Sequence, residues 1–327
     1  MQLFKLGSSN TTDGRRNVLA EYQNPFEQLA LLSCSIPEIL IGISSCLLET
    51  STDFDQQYVR VVSVLGSLGE DFVLIPLVFG TEIGVNRPDR SEQTHDYRQV
   101  DADSLTRLCG YITCSSEMKI DVGSAESVMA SETEESEANL LLSQRLLPIE
   151  DVCQLTDNTI KDNFVRRVCV MHRWQQLVLN EDKSIYALTR FHRNHAHVYQ
   201  SHHMEKAAEI TSILSLKDSM DRHDLYSMYI HKVMDALKCK PTLRSHALVL
   251  RQLLAIVQPY LSVETHESIA QSIERYERGE ESIKMPLAQL RYQANQYAIP
   301  ELTNSVYLFP YHQEGLLSEF SDVAIAI

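Results

Sequence analysis

The chain has 327 residues, of which 44% are apolar, and this composition predicts a globular protein with a buried core and about two domains. No apolar run is long enough to span a bilayer, and Glu21, Pro25 and Glu27 interrupt the stretch where a signal peptide would be apolar, so we expect neither a membrane protein nor a secreted one. The formal net charge of −15 argues against nucleic-acid binding by the chain as a whole, while seven cysteines without a pairing pattern indicate a reducing cytoplasm.

The first predicted elements are strands. An apolar run at 39–43 precedes a helical pattern at 56–68 and a second apolar run at 72–78, and a further candidate strand lies at 108–114. A strand–helix–strand order favours a right-handed crossover between parallel strands. We therefore predict an α/β domain with a small, mostly parallel sheet over residues 37–123.

Polar segments flank this domain. Residues 1–36 are rich in Gly, Ser, Asn and Thr, which predicts a loose N-terminal arm. Residues 124–157 include the run SETEESE at 131–137, which has no apolar side chain and predicts an acidic linker. The remainder, 158–327, is predicted to be an all-α C-terminal domain.

Two helices of that domain show a clear apolar stripe. In the first, one face carries Phe164, Val168, Met171 and Val178. We expect Arg166 and Arg173 on the opposite face. In the second, which starts near Ile185, the stripe consists of Leu188, Phe191, His195, Val198 and His202.

The charge is unevenly distributed along the chain. Residues 1–157 hold 10 basic and 25 acidic side chains, residues 158–255 hold 15 and 9, and residues 256–327 hold 4 and 10. Nine of the twelve histidines also fall within 158–255. A basic block inside an acidic chain indicates a face for a polyanion such as RNA. The alternative interpretation is a solvated helical surface with no partner.

Five histidines within twelve residues raise the question of a metal site. His195 and His202 are seven residues apart, about 10.5 Å along a helix, which is too far to share one ion. The H-E-x-x-H pattern of hydrolytic zinc sites is missing from the sequence. We predict no metal site, interior hydrogen-bonded rings for His195 and His202, and RNA-facing roles for His192 and His197.

The arginines and lysines of the basic block are the predicted phosphate contacts, because a guanidinium group reaches phosphate oxygens bidentately. With the two histidines, the predicted RNA-binding residues are Arg166, Arg167, Arg173, Arg190, His192, Arg193, His197, Lys206, Lys238, Lys240 and Arg244. Tyr199, Tyr226 and Tyr229 either stack on exposed bases or fill the core between helices.

Short motifs in the first half resemble a known family. Residues 41–48, IGISSCLL, are similar to the I-G-x-S-x-C-L-L opening of the thiouracil desulfidase domain. Residues 54–55, FD, and 82–88, EIGVNRP, resemble its Y-D and E-I-G-L-G-x-P stretches. The resemblance extends over about residues 38–122.

The second half resembles the YbgA-type helical domain. The motifs that carry this resemblance are FVRRVCVMHRW at 164–174, FHRNH at 191–195, KPT at 240–242 with His246, YERG at 276–279 and PL at 286–287. The two domains in this order resemble the bacterial desulfidase that removes sulfur from 4-thiouridine in tRNA. In that family the helical domain is implicated in holding the RNA.

The resemblance implies a 4Fe-4S cluster held by three cysteine thiolates, with one iron open to the substrate sulfur. Cys46 matches the first ligand, but Val78 stands at the second and Gly80 at the carboxylate that would handle protons. The third ligand has no counterpart between Tyr111 and Val122. We therefore expect that the cluster is lost, that the chain has no cofactor, and that no catalytic residue can be assigned.

Three hypotheses follow. The first is a protein associated with tRNA or another RNA, without DNA or membrane partners, whose desulfidase activity is lost. The second is an active iron–sulfur desulfidase in which Cys109 or Cys114 acts as a relocated ligand. The third is a protein-interaction or regulatory module that uses the acidic N-terminal half.

Overall fold

A computed structural model describes residues 39–44, 63–68, 72–77, 106–113, 146–180 and 183–310. The chain divides into two compact units, Met1–Asp157 and Asn158–Ile327, which we call the sheet unit and the helical unit. Within the described ranges, no helix combines the length and the apolar character needed to cross a bilayer.

Within the described residues, the sheet has four parallel strands: β1 (Leu40–Ser44), β2 (Val73–Leu77), β3 (Leu108–Thr113) and β4 (Ile149–Asp151). Their order is β2-β1-β3-β4, so β1 is central and pairs with β2 on one side and β3 on the other. Every residue of β1 is buried, as expected for a parallel strand covered on both faces. The predicted small parallel sheet is confirmed.

The chain between β1 and β2 contains a helical segment at 63–68, which agrees with the predicted strand–helix–strand order. By contrast, β4 lies inside 124–157, the segment that the charge pattern assigns to a linker. Three residues of β4 pair in register with Tyr111, Ile112 and Thr113 of β3. A strand of three residues is too short to show a hydrophobic period, so sequence periodicity could not predict β4.

Gly42, in the middle of β1, has no room for a side chain. A Cβ atom there would lie 2.6 Å from Cδ1 of Leu77 and 3.0 Å from Cδ2 of Tyr111, two side chains that are at most 2% exposed. We expect Gly42→Ala to lower the free energy of unfolding of the sheet unit by about 1–3 kcal/mol through overpacking. Urea unfolding followed by circular dichroism would measure this loss.

Gly66→Ala is the matched control for this prediction. Among the described residues, no atom outside the local helix backbone lies within 4 Å of a Cβ at Gly66, and alanine is the better helix former by about 1 kcal/mol. We expect this variant to be at least as stable as the parent chain. Equal stabilities for the two variants would contradict the close packing around Gly42.

The described part of the second unit contains helices and no strand, which confirms the prediction of an all-α region after the sheet. Its helices are α1 (Asn158–Asn180), α2 (Ile185–His202), α3 (Met204–Ile213), α4 (Arg222–Leu237), α5 (Leu243–Val257), α6 (Val263–Glu277), α7 (Lys284–Gln296) and α8 (Pro300–Thr303). The stripe predicted for α2 is buried at every position.

The end of α6 explains one glycine of the sequence. Gly279 has φ of +73°, a left-handed conformation that glycine adopts without a steric penalty. Its N–H donates to the carbonyl of Tyr276 at 2.9 Å, and the N–H of Glu280 donates to the carbonyl of Arg275. The left-handed Gly279 therefore ends α6 at Glu277, one residue after Tyr276.

The first helical stripe is only partly as predicted. Phe164, Val168 and Met171 are buried, but Arg173, expected on a solvent face, is only 7% exposed. All residues of α1 from 163 to 174 except Arg166 are buried. In this stretch α1 has no solvent face, so the rule that charges lie opposite an apolar stripe does not apply to Arg173.

Candidate functional site

Polar side chains from four helices converge inside the helical unit. Four of them, Arg166 of α1, His202 of α2, His246 of α5 and Tyr276 of α6, are called the histidine–arginine cluster below. His202 and Tyr276 are buried, and Arg166 and His246 are half-buried. Hydrogen bonds at the turn between α4 and α5 join three of these helices, α1, α2 and α5.

His202, the last residue of α2, is held at that turn. Its Nδ1 lies 2.7 Å from the carbonyl oxygen of Cys239. The neighbouring carbonyl of Ser201 accepts a hydrogen bond of 2.6 Å from the hydroxyl of Ser245, which also completes the capping box at the start of α5 with Thr242. These contacts set the position and the orientation of the His202 ring.

The hydrogen bond of His202 also determines its tautomer. A carbonyl oxygen only accepts, so Nδ1 carries the proton and Nε2 of the neutral ring is an acceptor. This Nε2 atom is buried and has no hydrogen-bond partner in the part of the chain that the structure describes.

Helix α1 approaches the same turn. The side-chain amide of Asn163 donates to the carbonyl of Leu237, the last residue of α4, at 3.2 Å. Arg166 follows three residues later, on the same face of α1. Among the described residues, no carboxylate forms an ion pair with Arg166, and it makes no hydrogen bond there.

His246 joins the cluster to α6 and to the segment after α8. Its Nδ1 lies 2.7 Å from the hydroxyl of Tyr307. Its ring lies 6.4 Å from the ring of Tyr276, edge to face, measured between centroids. The hydroxyl of Tyr276 has no hydrogen-bond partner among the residues that the structure describes.

The electrostatics of the cluster are dominated by burial and by the charge of Arg166. Burial first, and the guanidinium of Arg166 second, hold the pKa of His202 well below 6.5. The same two causes lower the pKa of His246 to about 3. Burial raises the pKa of Tyr276, and Arg166 partly opposes it. At neutral pH the two imidazoles are therefore neutral, and the positive charge resides on arginine.

A second polar group surrounds Arg173. The Nδ1 of His195 lies 2.7 Å from the carbonyl oxygen of Phe191, and the two rings stack with centroids 4.0 Å apart. Arg173 donates to the carbonyl of Pro310. Burial, and then the charge of Arg173, lower the pKa of His195 to about 3. The prediction of interior hydrogen-bonded rings for His195 and His202 is confirmed.

The predicted RNA-binding residues fall into three groups by exposure. Arg167, Arg173 and His192 are buried. Arg166, His197 and Lys206 are half-buried, and the exposed ones are Arg190, Arg193, Lys238, Lys240 and Arg244. The buried three lie inside the helical unit, so a ligand on its outer surface would not reach them.

Some of these side chains are already engaged. His192 contacts the hydroxyls of Tyr229 at 3.1 Å and Thr211 at 3.2 Å. Lys206 forms an ion pair of 2.8 Å with Asp235. Tyr199 and Tyr229 are fully buried, and Tyr226 is 4% exposed. The three tyrosines fill the core, which was the simpler of the two interpretations of the sequence.

Most positions that decide the iron–sulfur question lie outside the described residues: Cys46, Val78, Gly80 and Cys114. Cys109 is described and is buried in β3. Burial raises the pKa of its thiol to about 12.

Comparison with known proteins bears on the helical unit alone. Residues 198–312, about a third of the chain, match a family described as "Protein of unknown function (DUF1722)". The matched range contains His202, His246 and Tyr276 but not Arg166. No curated protein and no solved structure matches the chain. The helical unit is therefore similar to a family whose description assigns no function.

Proposed function

We propose that the chain is an RNA-associated protein that binds tRNA or a similar RNA through its helical unit, and that the desulfidase-like unit has no remaining cluster-dependent activity. The proposal is supported by three exposed cations around the start of α5. Lys238 follows the end of α4, Lys240 lies in the turn, and Arg244 lies in the first turn of α5. None of them forms an ion pair within the described part of the chain.

This arrangement differs from that of the neighbouring lysines. Lys206 and Lys232 pair with Asp235 and Glu209, both at 2.8 Å, so their charges are partly neutralised. The three cations also lie close in sequence to the N-terminus of α5, where the backbone adds a partial positive charge. Phosphates of an RNA backbone are the ligands that such a surface favours, despite the acidic total charge.

A filter-binding titration against tRNA tests the proposal. We expect binding at low salt that weakens steeply as the salt concentration rises. The double variant Lys238→Ala/Arg244→Ala is expected to reduce the slope of log affinity against log salt by roughly two, about one for each phosphate contact.

A control with the same loss of charge is Lys217→Ala/Arg222→Ala. These residues are exposed and lie just before and at the start of α4, about 24 Å along that helix from Lys238. We expect this control to keep the parent slope. The proposal fails if tRNA does not bind at low salt, or if both double variants bind it as the parent does.

A further inference from the structure

The histidine–arginine cluster contains a buried acceptor that no described residue satisfies. Nε2 of His202 has no hydrogen-bond partner among those residues, and His202 is 4% exposed. Native proteins pair the large majority of their buried side-chain polar groups, because leaving one unpaired costs free energy. The position of this ring therefore favours a ligand that presents a hydrogen-bond donor to it.

The charges around His202 indicate the sign of that ligand. Arg166 and Arg167 of α1 both act on His202, and the nearby ring of His246 is neutral at physiological pH. Cys239 contributes a carbonyl oxygen from the turn before α5. A metal cation in this position would be repelled by the guanidinium groups, whereas an anion would be attracted.

We propose that the histidine–arginine cluster binds a phosphate group. The guanidinium of Arg166 and the hydroxyl of Tyr276 supply donors to phosphate oxygens, and neither has a hydrogen-bond partner among the described residues. At neutral pH inorganic phosphate always keeps at least one hydroxyl, and a phosphate monoester keeps one in the part of its population that is singly protonated, since its second pKa is near 6. That hydroxyl is the donor that Nε2 of His202 lacks.

The same chemistry distinguishes phosphate from sulfate. Sulfate has the same tetrahedral shape and charge but no proton at neutral pH, so it leaves the acceptor of His202 unsatisfied. The half-buried side chains Arg166 and His246 connect the cluster to the surface of the helical unit. Phosphate can come from the end of an RNA or from a small molecule. The inference that an RNA end is the natural ligand rests on the proposed function, whereas the inference of a phosphate site does not.

Isothermal titration of the full chain with sodium phosphate, sodium sulfate and sodium chloride at pH 7 and equal ionic strength tests the site. We expect saturable binding of phosphate, weaker binding of sulfate, and none of chloride. Arg166→Gln is expected to weaken phosphate binding about tenfold or more, as the loss of a charged hydrogen bond predicts. Lys217→Gln, at an exposed position, is the control and should bind as the parent does.

A second variant covers the case in which Arg166→Gln does not fold. Tyr276→Phe keeps the ring and its packing and removes only the hydroxyl, so we expect a folded protein with severalfold weaker phosphate binding. Equal affinities for phosphate and sulfate would overturn the proposal. So would phosphate binding that neither Arg166→Gln nor Tyr276→Phe changes.

Displacement of bound radiolabelled phosphate by candidate ligands identifies which molecule supplies the phosphate group naturally. Displacement by tRNA with a 5′-phosphate, but not by the same tRNA after dephosphorylation, would support an RNA end as the natural ligand. Phosphate binding to a chain that tRNA neither displaces nor binds would support the site and overturn the proposed function. Binding of tRNA by a chain that does not bind phosphate would support the proposed function and overturn the phosphate site.

Discussion

Lowering the pH from 7 to 5 is expected to destabilise the helical unit by several kcal/mol. Burial, and secondly the charge of Arg173, hold the pKa of His195 near 3 and that of His172 near 4. Burial and Arg166 hold the pKa of His246 near 3. In the unfolded chain each ring has a pKa of about 6.5 and takes up a proton that the folded protein excludes.

The sign and the pH window follow from these values. Above pH 6.5 both states are unprotonated and stability is complete; below it, only the unfolded state gains protons, so stability falls until the folded pKa near 3 or 4 is reached. Each ring costs about 1.4 kcal/mol per pH unit within this window, or about 2 kcal/mol at pH 5.

Urea unfolding at pH 5, 6 and 7 in phosphate-free buffer, followed by the helical circular dichroism signal, measures the effect. Between pH 7 and pH 5, the free energy of unfolding of His195→Gln is expected to fall by about 2 kcal/mol less than that of the parent chain. His231→Gln changes an exposed histidine and should leave the loss unchanged. The quantity compared is the dependence on pH, so a uniform destabilisation by His195→Gln does not affect the result. Equal losses in both variants would contradict this account.

Replacing Trp174 by alanine is expected to destabilise the helical unit by about 3–5 kcal/mol. This residue is the one tryptophan of the chain and is 8% exposed. Its ring packs edge-on against Phe191 at 5.6 Å and is stacked with Tyr229 at 5.8 Å, while Tyr226 lies at 5.5 Å in a tilted arrangement. Alanine would leave a cavity between α1, α2 and α4.

Two controls separate the loss of packing from other effects. Trp174→Phe keeps an aromatic ring and should cost clearly less than Trp174→Ala. Tyr292→Ala removes an aromatic ring that is 65% exposed and should change the free energy of unfolding by no more than about 0.5 kcal/mol. Urea unfolding followed by circular dichroism gives all three values. A loss below about 1 kcal/mol for Trp174→Ala would show that this aromatic group is not part of the stabilising core.

Local patterns predicted much of the fold. The apolar runs around Leu40, Leu74 and Leu108 became β1, β2 and β3, because a buried parallel strand is apolar along its whole length. The spacing of Leu188 and Val198 placed His195 and His202 on the same inward stripe. Such patterns depend on neighbours within a few residues, and the sequence contains that information directly.

Other features depend on what surrounds an element. The charge at Arg173 suggested a solvent face, but the surroundings of α1 leave none there. Arg167 and His192 were predicted to face RNA and are also buried. The charge of a residue indicates that it needs a polar partner, but it does not indicate whether that partner is water or another part of the chain.

What the amino-acid sequence determined by itself is therefore the type of each longer element, the direction of the α2 stripe and the concentration of positive charge within 158–255. Only the tertiary structure brought the histidine–arginine cluster together. His246 and Tyr307 are 61 residues apart, and Asn163 and Leu237 are 74 apart. A hydrogen bond needs atoms within about 3 Å, and over such separations in the chain only the packing of helices brings them that close.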